Sequence, residues 1–222
     1  MSARVRALAL LLLLLACSCS GAPEQQGETP SGTAADSALG AVDGLIDAIQ
    51  KPDFDTAARL AMPGQAALAS LAEGATFGEV AEALEQGDND VAANFWAGFA
   101  QGAGTFLTGN VATSEDGVVT ESGIDFHTVT VTPPDSGSRT VLVREDDGYR
   151  IDIFASFGAG LAARMTGPVE RLLSTQTAES RLILAELQEI VPSLLVAANL
   201  PDTTPVISQQ ILALVEVITR VS

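Results

Sequence analysis

Cysteine and histidine are scarce in this chain of 222 residues. The two cysteines, Cys17 and Cys19, stand one residue apart near the start, where a bridge between them would be strained. The body of the chain therefore has no disulfide, which excludes a small disulfide-stapled scaffold. With His127 as the single histidine and no thiol pair beyond Cys19, the familiar zinc clusters are excluded, and we predict no metal and no cofactor.

Positive charge is also scarce, because 11 Lys and Arg face 28 Asp and Glu, and Lys51 is the only lysine. Nucleic-acid binding needs clustered Lys and Arg, so that class of function is excluded. Peripheral attachment to anionic lipid headgroups needs the same cations and is excluded too. We interpret the acidity as a source of solubility and mutual repulsion.

The chain has no apolar run that is long enough to cross a membrane. Its most apolar block, residues 7–16, is ten residues long, whereas a spanning helix needs about twenty. Arg4 and Arg6 precede this block, and small residues follow it. This order is typical of an export signal, so we predict a signal peptide over residues 1–16 that is removed from the mature protein.

The end of that block, LLAC at residues 14–17, resembles the lipobox of bacterial lipoproteins. The resemblance implies that Cys17 receives a diacylglyceryl thioether, that cleavage occurs before it, and that its amine is acylated, for example with palmitate. It places the protein in the cell envelope, anchored on the outer side of the cytoplasmic membrane or to the outer membrane. The alternative is an ordinary secreted protein with an unmodified thiol. Residues 17–35 have no bulky apolar side chain, which predicts a lipidated flexible tether.

The folded part begins with helical periodicity. Apolar spacing and capping signals predict helices over residues 36–51, 54–61, 66–71 and 77–86, and a further helix starting at 88–90 that carries Phe95, Trp96 and Phe99. Five short segments rich in β-branched and aromatic residues follow, at 105–113, 117–122, 124–133, 138–145 and 148–154. Helices followed by antiparallel strands predict an α+β fold.

Helical patterns return after the strands. We predict helices over residues 157–174, interrupted at 167–168, over 177–198 with a kink at Pro192, and over 204–221. The chain is therefore divided into an α+β domain at 36–157 and a C-terminal helical extension at 158–222.

Two phrases, "DFDTAA" at residues 53–58 and "DDGYRID" at 146–152, together with this element order, resemble the NTF2-like (cystatin-like) superfamily. The resemblance covers roughly residues 36–157. It implies N-terminal helices packed on a curved antiparallel sheet that forms a cone with an apolar pocket. Some members of the superfamily catalyse isomerisation, hydration or cyclisation in that pocket and many only bind a ligand, so the fold alone does not decide the function.

His127 is the first candidate for chemistry. It shares a strand face with Val129 and Val131, and Asp125 two residues earlier is a candidate to orient it as a general acid or base. The alternative, which we favour, is a solvated or hydrogen-bonded histidine of the strand.

Tyr149 and Asp152 resemble the tyrosine and aspartate that proton-transferring members of this superfamily use. The alternation on the last strand favours structural roles, with Tyr149 at the edge of the core and Asp152 on the opposite face. Trp96 is either a core residue or part of a ligand cage, and the core is favoured. We therefore predict no catalytic residue, and His127, Tyr149 and Trp96 remain the candidate ligand-binding residues.

The apolar C-terminal helices favour a non-enzymatic envelope lipoprotein that binds or scaffolds a protein partner through them. A carrier or sensor of a small apolar ligand in the cone-shaped pocket is the alternative. A pocket enzyme of the isomerase or hydratase type, using His127 or Asp152, is the third possibility.

Overall fold

The computed structural model describes residues 34–87, 90–103, 107 and 109–220. The predicted signal peptide, the lipidation of Cys17 and nearly all of the predicted tether lie outside the described residues. Within the described part the chain forms nine α-helices, one short 3-10 helix and a single four-stranded antiparallel sheet. The predicted α+β class is confirmed.

Five helices precede the sheet: α1 (Ala38–Gln50), α2 (Phe54–Leu60), α3 (Gln65–Ala69), α4 (Phe77–Gln86) and α5 (Asp90–Ala103). The 3-10 helix, Ser70–Glu73, lies between α3 and α4. The strands are β1 (Ala112–Glu121), β2 (Ile124–Thr132), β3 (Arg139–Asp146) and β4 (Gly148–Ile151). Four helices follow: α6 (Ile153–Ser174), α7 (Ala178–Glu189), α8 (Val191–Ala198) and α9 (Pro205–Thr219).

The helix starts follow the predicted capping residues. Asp53 accepts a hydrogen bond from the backbone of Thr56 at 3.1 Å, and α2 begins one residue after it. The predicted capping box at α4 is present, since Glu79 accepts from the backbone N–H of Thr76 at 2.8 Å and Thr76 Oγ1 accepts from the backbone of Glu79 at 3.3 Å. These local signals are sufficient because each involves residues only three positions apart.

The four strands form an antiparallel meander in the order β1-β2-β3-β4. Ser122 and Gly123 connect β1 to β2 with positive φ angles of 52° and 80°, as a two-residue hairpin turn requires. On its outer side β4 is also covered, because the backbone of Tyr149 pairs with that of Ala35 at 2.9 and 3.2 Å.

The first predicted strand, 105–113, is largely wrong, because β1 begins at Ala112 and the described residues 107 and 109–111 lie outside any strand. From Ala112 the strand continues without a break into the second predicted strand, 117–122. Glu115 pairs with Val129 and Gly117 pairs with Thr128, so Asp116 has no partner position on β2 and forms a β-bulge. The polar residues around Asp116 suggested a turn in the sequence, but one extra residue in a bulge accommodates them without ending the strand.

The last strand is shorter than predicted. It ends at Ile151, and Asp152 caps α6 by accepting a hydrogen bond from the backbone of Ala155 at 2.9 Å. Ile153 and Phe154 therefore belong to a helix, and the apparent alternation that extended the strand through them was misleading. Asp152 lies buried rather than on a wet face.

One face of the sheet packs on α1. Val129, Val131, Val141, Val143 and Ile151 share this face and are fully buried or nearly so. They belong to one core cluster with the apolar stripe of α1, which contacts all four strands.

The opposite face is covered at one end. Phe126 and Leu142 pack there with Ala155 of α6 and Val196 of α8, and all four are buried. Burial of both faces of β2 and β3 explains why these strands contain apolar residues at both parities.

The C-terminal helices belong to the same core as the sheet. Helix α6 is continuous from Ile153 to Ser174 and contains Pro168, so the predicted interruption at 167–168 is wrong, and the predicted boundary at 157–158 falls inside this helix. Helices α6, α8 and α9 pack on one another, and Leu194, Ile211 and Leu214 have no exposed surface. Within the described residues, no helix combines the length and the apolarity that a membrane crossing needs.

Candidate functional site

His127 lies on the α1-facing side of β2 with 18% of its side chain exposed. Its Nδ1 is 3.2 Å from Oε1 of Glu115, which lies on the neighbouring strand β1. The ring of Tyr149 stands edge-on to the imidazole, with 5.1 Å between the ring centroids. These contacts tie β1, β2 and β4 together near the place where the described chain enters the domain.

Asp125 does not orient His127. Its carboxylate accepts a hydrogen bond from Thr120 Oγ1 at 2.6 Å, across the β1–β2 hairpin. Residues two apart on a strand share a face but stand about 7 Å apart, whereas cross-strand neighbours are closer. Glu115 therefore replaces Asp125 as the acidic partner of the histidine.

Asp152 joins three elements by its buried carboxylate. Besides capping α6, it accepts a hydrogen bond from Ser193 Oγ of α8 at 2.7 Å, and Arg144 Nη1 of β3 lies 3.7 Å away. The carboxylate is fully buried and both of its oxygens accept a hydrogen bond from within the fold, so in the described structure it holds the end of β4 against α6 and α8.

Trp96 is a core residue. It has no exposed surface and stands between Phe95 and Phe99, each 5.2 Å away between ring centroids and close to perpendicular. Its Nε1 is buried and has no hydrogen-bond acceptor among the described residues. The contacts with Phe95 and Phe99 offset part of the free-energy cost of this unpaired N–H group, because edge-to-face aromatic pairs add stabilisation beyond that of apolar burial.

A cleft of about 510 Å³ lies directly in front of this aromatic group. It is formed by α5 from Phe95 onward, the start of β3, the first half of α6, the connection between α8 and α9, and Glu73 at the end of the 3-10 helix. Phe95 and Phe99 of α5 and Phe157 of α6 line it, and the rings of Phe99 and Phe157 are in contact, with 4.7 Å between their centroids. The volume is in the range of cavities that hold small organic ligands, about 300–1,000 Å³.

Two glycines leave the cleft open. Gly98 of α5 and Gly160 of α6 both line it, and a Cβ atom added to either would meet no heavy atom within 4 Å. By contrast, a Cβ on Gly158, which faces away from the cleft toward α8, would lie 3.3 Å from the Cβ of Ala197. The empty space at Gly98 and Gly160 is therefore part of the cleft and not of a helix contact.

Charged groups stand at the rim of the cleft. Arg164 Nη1 is 2.7 Å from Oε1 of Glu73, and its Nε donates to the carbonyl of Gly160 at 3.3 Å. Arg139 and Asp202 also line the cleft. The cleft thus combines an aromatic interior with a polar rim, which is the usual composition of a ligand site.

The three residues predicted as ligand-binding do not line this cleft. Trp96 lies behind its aromatic wall, while His127 and Tyr149 lie on the side of the sheet that packs on α1. Sequence reasoning missed the cleft because its lining comes from five segments that are separated in the chain. Gly98 and Gly102, which lie one turn apart beside Phe95 and Phe99, belong to the lining, but glycines at this spacing do not by themselves indicate a cleft.

Within the described residues, no group of three or more His, Cys, Asp or Glu side chains has the proximity that a metal ion needs. Comparison of the chain with protein-family models, with curated proteins and with solved structures finds no match.

Proposed function

We propose that the protein is a bacterial lipoprotein, held in the cell envelope by lipid on Cys17, that binds a ligand with an apolar body in the cleft between α5 and α6. The observation that carries this proposal is the open aromatic cleft of about 510 Å³. Binding there buries apolar ligand surface against Phe95, Phe99 and Phe157, and the favourable free energy of such burial is about 25 cal/mol per Å².

We further propose that the domain is a variant of the NTF2-like fold. An antiparallel four-stranded meander that follows several helices, with α1 lying across all four strands, supports it. In this variant the apolar residues of α1 fill the face of the sheet where the cone-shaped pocket is expected, because Val42, Leu45 and Ile49 are buried against it. The ligand site is consequently proposed at the α5–α6 cleft instead.

A docking surface for an envelope protein on the C-terminal helices receives less support. The apolar stripe of α9, which prompted that hypothesis, is turned inward, and Leu194 of α8 has no exposed surface. Val206 and Leu212 are the large apolar side chains of α9 that are exposed, at 65% and 45%. Scattered apolar residues of this kind are common on protein surfaces. Leu212→Glu therefore tests protein docking by loss of a copurifying partner, whereas a charge at position 194 would disrupt the core.

Binding rather than catalysis is supported by the chemistry of the lining. The hydroxyl of Ser156 is engaged by β3, since it accepts from the backbone N–H of Leu142 at 2.8 Å and donates to its carbonyl at 3.1 Å. His127 and Asp152, the candidates for proton transfer, do not line the cleft. The proposal therefore assigns no catalytic residue.

The experiment is a titration of the chain from Ser18 onward, which retains every described element, with the neutral fluorescent probe N-phenyl-1-naphthylamine. Gly98→Leu and Gly160→Leu fill the cleft from its two walls, and each is expected to weaken probe binding by about tenfold or more, equivalent to about 1.4 kcal/mol. Gly78→Leu is the matched control, because Gly78 is also helical, exposed and open at its Cβ position but lies on α4 outside the cleft. Equal binding by all four proteins would show that the probe does not use this cleft.

Trp96 provides a second reading of the same titration. It is the only tryptophan in the sequence and it packs on both phenylalanines of the α5 wall. A probe in the cleft should therefore quench its fluorescence by energy transfer, with the same concentration dependence as the probe signal.

A further inference from the structure

The cleft has a polarity along α6. Phe157, Leu161 and Arg164 all line it, and their spacing of four and three residues places them on one face of the helix. The rise of about 1.5 Å per residue separates the aromatic end from the guanidinium end by about 10 Å. A ligand lying along this face meets apolar side chains at one end and a cation at the other.

The guanidinium group of Arg164 already forms an ion pair with the carboxylate of Glu73. Arg164 Nη1 and Glu73 Oε1 are 2.7 Å apart, so the guanidinium is oriented for a charge-assisted hydrogen bond at the edge of the cleft. Both side chains are about half exposed, at 50% and 40%, and an exposed ion pair contributes little to the free energy of folding. Replacement of the Glu73 carboxylate by a ligand carboxylate therefore changes the free energy of folding little.

The position of Glu73 allows its side chain to move away from Arg164. It is the last residue of the 3-10 helix, and 40% of its side chain is already exposed. The Glu73 side chain can turn into solvent without displacing the core.

Four charged side chains line the cleft, and their formal charges balance, because Arg139 and Arg164 are positive while Glu73 and Asp202 are negative. A ligand carboxylate that takes the place of Glu73 keeps the Arg164 guanidinium in a charge-assisted hydrogen bond, whereas an uncharged head group in the same place does not. The exchange therefore favours a ligand with a single negative charge at the end of an apolar body.

We infer that the ligand is a single-chain amphipathic acid, such as a fatty acid, whose carboxylate replaces Glu73 on Arg164 while its chain lies against Phe95, Phe99 and Phe157. This inference rests on the proposed function and specifies the ligand class of that cleft. It assigns Arg164 as the residue that selects the head group and Glu73 as its intramolecular competitor.

The test compares dodecanoate with dodecanol, which share the chain and differ in the charge of the head. Each competes with N-phenyl-1-naphthylamine at neutral pH on the chain from Ser18 onward. Dodecanoate is expected to bind about tenfold or more tightly than dodecanol. Arg164→Gln should abolish this preference, Arg164→Lys should keep part of it, and Glu73→Gln should strengthen dodecanoate binding because the competing carboxylate is gone.

Arg220→Gln is the matched control. Arg220 forms an exposed pair with Glu216 on α9 at 2.9 Å and does not line the cleft. Its removal should leave both affinities unchanged, and a thermal melt of each variant verifies that the fold is retained.

The outcomes separate the inference from the proposed function. If dodecanoate and dodecanol compete equally and Arg164→Gln changes neither, the acid-selective head-group site is overturned while an apolar cleft remains. If neither compound competes and the cleft-filling variants bind the probe as the parent does, the proposed function fails, and the inference fails with it.

Discussion

At the level of single residues, Asp152 is a buried carboxylate that connects β3, α6 and α8. Its carboxylate caps α6 and accepts a hydrogen bond from the hydroxyl of Ser193, and the residue has no exposed surface. A lost helix cap costs about 0.5–2 kcal/mol, and a buried hydroxyl left without its acceptor costs about 1–3 kcal/mol.

We therefore expect Asp152→Ala to lower the free energy of unfolding by about 2–4 kcal/mol, measured by urea denaturation. Asp53→Ala, which removes an exposed cap from α2, is the control and should cost clearly less, because water can replace the lost acceptor. Equal losses for the two variants would contradict the role given to the buried carboxylate.

Glu79 provides a prediction of pH dependence. Hydrogen bonds from the backbone and side chain of Thr76 hold the pKa of Glu79 below its ordinary value of 4.5. Because the pKa is lowered in the folded state, this stabilisation is fully present above the pKa of the unfolded chain. It is lost as the pH falls through the lower pKa of the folded state.

Glu79→Gln should therefore flatten the acid side of the stability profile, since a glutamine still accepts from Thr76 but does not titrate. Glu82→Gln on the same helix, outside the capping box, is the control. Midpoints of urea unfolding between pH 3 and 7 measure the effect. A Glu79→Gln profile as steep as that of the parent would contradict the assignment.

The features that local sequence patterns predicted are those whose partners are close in the chain. Asp53 with Thr56 and Thr76 with Glu79 are three residues apart, so their caps could be predicted from the sequence. Asp152 also caps a helix through Ala155, three residues on, but its other partners, Arg144 and Ser193, lie on a strand and a helix that are farther away in sequence. Its burial depends on tertiary packing, which the alternation of the last strand could not reveal.

At the scale of the element, the contact between α6 and α8 depends on a missing side chain. A Cβ at Gly158 would lie 3.3 Å from Ala197 Cβ and 3.4 Å from Leu194 Cδ2, whereas one at Gly160 would meet nothing within 4 Å. The same helix thus has one glycine that permits close packing and another that opens a cleft.

Gly158→Leu should destabilise the protein by about 1–3 kcal/mol through overpacking, because α8 must move to accommodate the side chain. Gly160→Ala should instead stabilise it by up to about 1 kcal/mol, since alanine is the better helix former. Guanidinium unfolding of the pair tests both signs. A neutral Gly158→Leu would mean that α8 is not packed on this position.

Helices and strands whose apolar residues recur with a clear period could be predicted from the sequence. Their boundaries and their packing partners were harder to predict. The apolar stripe of α1 gave its position, with an end at Lys51 and Pro52 as expected. The bulge at Asp116 lets β1 continue where the sequence predicted a break between two strands, because a bulge tolerates the polar residues that also make turns. The cleft between α5 and α6 was not predictable, since no single segment contains enough of its lining.

At the scale of the whole molecule, location depends on the proposed lipid at Cys17. Removal of residues 1–16 leaves nine basic and 28 acidic residues, so the mature chain is repelled by anionic membrane surfaces rather than attracted to them. Each buried methylene of an acyl chain contributes about 0.8 kcal/mol to membrane attachment, and two or more chains hold the protein stably.

Mass spectrometry of the N-terminal peptide from native membranes should find a chain that begins at Cys17 and carries a diacylglyceryl group. Cys19, in the same peptide, should be unmodified and serves as the internal control. A free thiol at Cys17, or a retained leader, would contradict the envelope anchor.

Native mass spectrometry can determine whether the α5–α6 cleft holds a ligand in the cell. The sample is the chain from Ser18, secreted behind a cleavable leader into the envelope of its native host and analysed without detergent. We expect an added mass of one small organic molecule, an amphipathic acid after solvent extraction, which is reduced or absent in Gly160→Leu and present in Gly78→Leu. The bare polypeptide mass for all three proteins would contradict the account.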